Sequence, residues 1–230
     1  MKRLFPLLAM LIFLSGCSTL PNQKEVGQEE IRTALREVVR SASERVEATT
    51  HSQMNLMTLI PPSSSPLLYQ KQIPRLDEHL QLWARQVVAA FRQGTIAMPQ
   101  VLRPYIDSLE IADPQAVMLR SDSSAAELLM DTYREEIEEE VRSMLEEHLW
   151  SGTQTWRMLT DRYAIWSRSK VLLGEEALPI LGPDPLDHLI RTFLSSYLQA
   201  LGREELYLRT TPVFQGTGSF YEILSKKAQP

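Results

Sequence analysis

Apolar residues along most of this chain recur every three or four positions, the spacing of one face of an α-helix, and they never sustain the strict alternation of a half-buried strand. From Glu29 to about Thr50, the residues Ile31, Leu35, Val38, Val39, Ala42 and Val46 line one stripe and predict a first helix. The run Leu59-Ile60-Pro61-Pro62-Ser63-Ser64-Ser65-Pro66 breaks the pattern. Each proline lacks an N–H and restricts the residue before it, so 59–74 is predicted to be a polar loop and the candidate flexible segment. After Pro74, Leu76, Leu80, Trp83, Val87, Val88 and Phe91 predict a helix that stops at Gly94, a residue suited to a C-terminal cap. A separate helix is expected from Met98 to Glu110, starting at Pro99 and bent at Pro104.

Asp113-Pro114 predicts a short helix, with the aspartate as cap and the proline in the first turn. The longest element follows. Ser124 and Glu127 fit a capping box, and Leu129, Tyr133, Ile137, Val141, Leu145 and Leu149 repeat every four residues behind it. Trp156, Leu159, Tyr163 and Trp166 predict a further helix ending before Gly174. Asp184-Pro185 opens a last one, whose apolar face is Leu186, Leu189, Ile190, Phe193, Tyr197 and Leu201. The tail from Thr211 to Pro230 is irregular, but Phe214, Phe220, Tyr221, Ile223 and Leu224 are too apolar to stay in water, and it is expected to pack back onto the helices. The fold class is therefore all-α: an irregular bundle of about six to seven helices in one domain, 25–230.

The first residues do not fit that bundle. Lys2 and Arg3 precede an apolar run from Leu4 to Leu14, and Leu14-Ser15-Gly16-Cys17 closes it with the chain's single cysteine. A basic start, a short apolar stretch and a small-residue exit make a secretory signal, whereas a spanning helix needs about 20 apolar residues. A lone thiol in an exported chain has no disulfide partner. The run resembles the lipobox of bacterial lipoproteins, with Leu14, Ser15 and Gly16 before the lipidated Cys17. That resemblance implies cleavage of 1–16 and a covalent N-acyl and S-diacylglycerol lipid on Cys17, with 17–24 as a polar tether. It implies no other cofactor. Ser18 in place of aspartate implies, by the sorting behaviour of such proteins in a two-membrane host, an outer-membrane protein facing the periplasm.

Charge narrows the partners. The net charge is -5, and loss of Lys2 and Arg3 with the leader takes it to about -7. An acidic domain is a poor match for nucleic acid, whose binding depends on Lys and Arg neutralising phosphates. The densest acidic run, Glu135, Glu136, Glu138, Glu139, Glu140, Glu146 and Glu147, lies on one helix. One helix cannot converge its carboxylates on an ion, so a solvated face is expected, with Arg134–Glu138 and Glu138–Arg142 pairs along it. His51, His79, His148 and His188 are scattered, no His-Glu-x-x-His occurs, and no metal site is expected. No serine sits in a nucleophile elbow and no glycine loop would cradle a phosphate. No enzyme is predicted.

One stretch stands out against this background. Trp150, Trp156, Tyr163 and Trp166 are interleaved with Arg157, Arg162, Arg168 and Lys170. Trp, Tyr and Arg are the residue types enriched where proteins grip partners, so Trp150, Trp156, Arg157, Arg162, Tyr163 and Trp166 are the candidate partner-binding residues. The plainer reading makes the aromatics core and the cations solvated.

Several short pieces occur in an order that resembles the bacterial family called domain of unknown function forty-one ninety-seven. They are Tyr105-Ile106-Asp107-Ser108-Leu109, Ala112-Asp113-Pro114-Gln115-Ala116, Asp122-Ser123-Ser124-Ala125-Ala126-Glu127-Leu128-Leu129, and Glu204-Glu205-Leu206-Tyr207-Leu208-Arg209 followed by Pro212, Ile223 and Leu224. The chain departs from the family pattern near Leu119-Arg120-Ser121 and in the extra polar length from Gly152 to Gly182. The resemblance implies a secreted, mostly helical protein and no particular chemistry.

Two functional expectations compete. One is a lipid-anchored, non-enzymatic module that contacts an envelope protein. The other is a carrier holding an apolar or lipid ligand in a pocket of the helical core. An envelope hydrolase, a third class, would require a buried acid or base with a strongly shifted pKa in a cleft.

Overall fold

The computed structural model describes residues 27–49, 54–119, 123–182 and 184–210. The leader, Leu14, Ser15, Gly16, Cys17, the tether, His51 and the tail lie outside the described residues. The described chain is all-helical: α1 Gln28–Thr49, α2 Leu56–Leu59, a 3-10 helix Pro62–Tyr69, α3 Leu76–Ser108, α4 Pro114–Leu119, α5 Ser124–His148, α6 Trp150–Leu172 and α7 Leu186–Thr210.

The body of the molecule is formed by α1, α3, α5 and α7. The six apolar residues predicted for α1 are all buried, as are Leu189, Ile190, Phe193, Tyr197 and Leu201 of α7, and Leu129, Ile137, Val141 and Leu145 of α5 with Leu149 just beyond it. Burial of these stripes, at about 25 cal/mol per Å² of apolar surface, is the main force holding the helices together.

Gly94 does not end a helix. α3 runs unbroken through it for 33 residues, roughly 50 Å at ~1.5 Å per residue. A Cβ at Gly94 would lie 2.8 Å from Leu145 Cδ2 and 3.2 Å from the Phe193 ring. The glycine is there because α3, α5 and α7 approach one another closely at that point, and contact between three helices outweighs the ~1 kcal/mol that glycine costs a helix interior. Pro99 and Pro104 also sit inside α3 and do not start a new element. Leu102 and Ile106 around them are buried, so packing carries the helix past its missing N–H groups.

The Pro/Ser segment 59–74 is not the open loop its prolines suggested. Leu59, Ile60, Leu67 and Ile73 are buried in the core, and Pro62–Tyr69 winds into a 3-10 helix between them. Proline is tolerated at the start of such a helix, and the apolar residues supply the burial that holds it.

One cap differs from expectation and one agrees with it. At α5 the N-cap residue is Ser123, whose hydroxyl binds Glu127, while the Ser124 hydroxyl donates to the Val117 carbonyl of α4. At α6 the stop is Gly174, in the left-handed region at φ +83°, with its N–H on the Val171 carbonyl.

Candidate functional site

α3 sets the register of everything around it. Gly94 faces Leu145, Tyr105 faces Tyr133 at 5.4 Å between rings, Val87 faces the backbone of Gly152, and Trp83 faces Trp156 at 4.8 Å. All four contacts keep one antiparallel register, so α5 and α6 lie along α3 in succession, with a kink at Tyr133 inside α5 and a break near Leu149 between the two helices. In that register Leu76, the first residue of α3, falls opposite Tyr163. The last turns of α6 therefore extend past the end of α3 as an arm. Its underside is held by the returning chain: Ser167 Oγ accepts the Leu178 N–H at 3.1 Å, and Leu178 and Leu181 pack at the core margin.

This geometry divides the predicted basic-aromatic patch. Trp156 is 0% exposed and Tyr163 is buried beside it, both facing α3. Trp166 is half-buried against the core. Trp150, 67% exposed, and Arg157 and Arg162 point the other way. The reason is angular: residues seven apart share a helix face, which puts Trp156 and Tyr163 with Leu159 and Gly152, about 100° per residue away from the arginines. The six residues form no single surface. Three are anchors of the α3–α6 interface and three are exposed.

That interface carries a polar anomaly. Trp83 Nε1, Gln86 Oε1, Trp156 Nε1, Tyr163 Oη and Trp166 Nε1 are buried without a hydrogen-bond partner among the described residues. Burial also pushes the Tyr163 hydroxyl above the ordinary tyrosine pKa.

The outward side of α6 holds a row that the inward-looking reading missed. Met158, Ile165 and Leu172, spaced by seven, are exposed, and Leu172 reaches 86%. Near the end of α6 Val171 and Leu173 are also exposed, and in the returning chain Ile180 is 96% exposed. The exposed Arg157, Arg162 and Arg168 border this row. The signal was legible as a second apolar period on a helix whose first period already accounts for its core contacts.

A second polar concentration lies where α1, α5 and α7 meet, and sequence reasoning did not single it out. Glu204 and Glu205 are neighbours and both are buried, Glu205 at 1% exposure. Glu204 accepts from the Ser41 hydroxyl at 2.7 Å and pairs with Arg45 Nε at 2.9 Å, and the Arg45 guanidinium lies 4.1 Å over the Tyr207 ring. Glu205 accepts the Ala125 and Ala126 N–H groups at 3.2 and 3.1 Å. It caps the N-terminus of α5 from a different helix, where the free N–H groups and the helix dipole favour an anion. Nearby, the buried Ser43 and Tyr197 hydroxyls lie 2.8 Å apart, and burial pushes the Tyr197 pKa up while the Ser43 contact opposes it. These carboxylates hold helices together; each is engaged in a capping or ion-pair role.

The remaining titratable groups are dispersed. The glutamates of α5 face solvent or its margin. Arg134 pairs with Asp131 at 3.8 Å, and Arg142 reaches Asp187 of α7 at 2.8 Å, so neither pairs with Glu138. His79 Nδ1 lies 2.6 Å from the Arg75 carbonyl and His188 Nε2 3.0 Å from that of Thr58. Asp184 Oδ1 accepts the Leu186 N–H at 2.8 Å, a capping contact at the start of α7. Among the described residues no three His, Cys, Asp or Glu side chains are placed to hold a metal ion, and no helix is long and apolar enough to cross a membrane.

No family model, no curated protein and no solved structure matches the chain.

Proposed function

We propose that this chain is a lipid-anchored, periplasm-facing helical module of a bacterial cell envelope, acting by contact with an envelope protein rather than by covalent chemistry. The observation that carries the contact reading is the arm. Its apolar row, Met158, Ile165 and Leu172, contributes nothing to the core that Trp156 and Tyr163 already build on the opposite face. Apolar surface concentrated at a protruding tip and bordered by cations is the form of a docking surface. The partner it fits presents an apolar strip flanked by acidic groups. Glu175 and Glu176 at the tip of the arm argue against an anionic leaflet as its target. Attachment through Cys17 belongs to the same proposal. So does the outer membrane as its place and the likeness to domain of unknown function forty-one ninety-seven, which adds export and helical character only.

Two variants separate the two halves of this reading. Cys17→Ser is expected to move the protein from the membrane fraction to the soluble periplasm; retention on the membrane rejects the anchor. Leu172→Glu, made in the anchored protein, is expected to remove the partner recovered by crosslinking in intact cells followed by mass spectrometry. Recovery of the same partner from both forms rejects the arm.

The carrier reading has one observation in its favour, a groove of about 550 Å³ between α5 and α7 whose floor includes Ala126, Met130 and Leu198. Its volume is in the range of small-ligand sites, although it opens to the surface rather than into the core.

A further inference from the structure

The outward face of α6 is complementary to itself. Met158, Ile165 and Leu172 stand on the side of the helix away from Trp156, Leu159 and Tyr163, which are buried toward α3. At ~100° per residue the row lies roughly 150° around the helix from that buried face, so the body of the molecule sits behind it. Asp161 and Arg168 are both exposed and flank the row on the same side, one four residues before Ile165 and the other three after it. Among the described residues neither makes an ion pair.

We infer that the partner of this row is a second copy of the chain, with the two α6 helices packed antiparallel about a two-fold axis beside Ile165. This rests on the reading of the row as a docking surface and names what docks there. A two-fold sets residues equally distant from its centre against each other. Met158 then meets the partner's Leu172 and Ile165 meets its own copy, so one apolar strip is closed on both chains.

Charge selects the second copy and its direction. In an antiparallel pair the same flank of both helices comes together, and charged residues on the flanks of a helix seam set partner and orientation. Asp161 falls within about 1.5 Å, along the axis, of the partner's Arg168, and the symmetry forms this pair twice. Arg162 lies on the other flank, opposite the partner's Ser169. A parallel pair would set Glu175 and Glu176 against their own copies and align the two helix dipoles. The antiparallel pair carries that acidic end to the partner's Arg157 instead. The strip from Met158 to Leu172 is short, about 21 Å at ~1.5 Å per residue. A contact of that size is weak between freely diffusing chains. Two chains tethered to one membrane by the proposed lipid meet at a raised effective concentration, where a weak contact fills.

The test uses the full chain in isolated membranes, one added cysteine and a short bismaleimide, with the unaltered chain as baseline for Cys17. Ile165→Cys is expected to give a covalent dimer, and Met158→Cys co-expressed with Leu172→Cys a mixed one. Met158→Cys alone should not link to itself, because its two copies lie about 21 Å apart. Asp161→Arg and Arg168→Asp should each lower the Ile165→Cys dimer about tenfold, since two attractive pairs become repulsive. The two charge changes made together should restore it. All these positions are exposed, so thermal unfolding should not move in any variant. A self-linked Met158→Cys dimer, single charge variants without effect, or no rescue by the pair overturns the inference. If Ile165→Cys gives no dimer while Leu172→Glu still removes a different protein in intact cells, the docking reading stands and self-pairing falls. If neither a dimer nor a partner sensitive to Leu172→Glu is found, both fall.

Discussion

The body of α1, α3, α5 and α7 and the arm of α6 are built from similar residues but reach opposite outcomes. In the body each helix buries its main apolar stripe; the outward face of α5 is a row of glutamates, and α3 and α7 expose only scattered apolar residues such as Leu82, Ile96 and Leu206. α6 has two apolar faces. One buries Trp156, Leu159 and Tyr163, and the other leaves Met158, Ile165 and Leu172 in solvent. The helix thus carries apolar surface beyond what its place in the fold uses. A stripe that folding does not use is where an interaction surface is to be sought, and the contrast teaches that aromatic content alone does not reveal it: Trp156, in the second turn of α6, is buried against α3 and holds the helix to the body.

Substitutions can break this contrast. The largest effect is expected where α6 lies along α3, at Trp156, whose replacement by Ala (Trp156→Ala) should cost about 3–5 kcal/mol in denaturant unfolding by removing a fully buried ring packed at a tilt against Trp83. A small loss would mean that the arm is not integral to the body. Next, Gly94→Val should cost about 1–3 kcal/mol, because its side chain must displace Leu145 and Phe193 where three helices meet. A neutral result, checked by thermal melting, would show that the contact is looser than it looks. Glu205→Ala should cost about 1–2 kcal/mol through loss of the anion at the start of α5, and hydrogen exchange should quicken first at residues 125–128.

The smaller effects sharpen the contrast. Tyr163→Phe removes a buried hydroxyl that lacks a partner, so stability should stay level or rise by up to about 1 kcal/mol. Leu172→Glu should leave stability within about 0.5 kcal/mol of wild type in the same unfolding assay, since the side chain is almost wholly exposed. A large loss there would show that the outward row is covered, and the body–arm distinction would fall.

How much of this was legible beforehand differs by region. The stripes of α1, α5, α6 and α7 are local patterns, and a helix buries the face its own period marks, so Leu35, Val141, Leu159 and Ile190 were readable as core. Gly94 was misread as a stop because its usual role in a helix is terminal; its actual role depends on Leu145 and Phe193, which are 51 and 99 positions away in the chain. Segment 59–74 looked open because prolines forbid a long α-helix, but they do not forbid a 3-10 turn pinned by Leu67. The candidate surface failed in the same way. Composition put Trp156 and Arg157 together, and the 100° between successive helical residues leaves one buried and the other exposed.

From its own order of residues, then, this chain determines helical character and the inward face of each long helix. Those properties follow from periods and spacings of a few residues. The tertiary structure alone decided that α3 runs through Gly94, that Glu205 caps a helix eighty positions before it, and that α6 projects beyond the end of its partner with apolar residues exposed. Each of these depends on which helices lie side by side and in what register, and no local pattern carries that information.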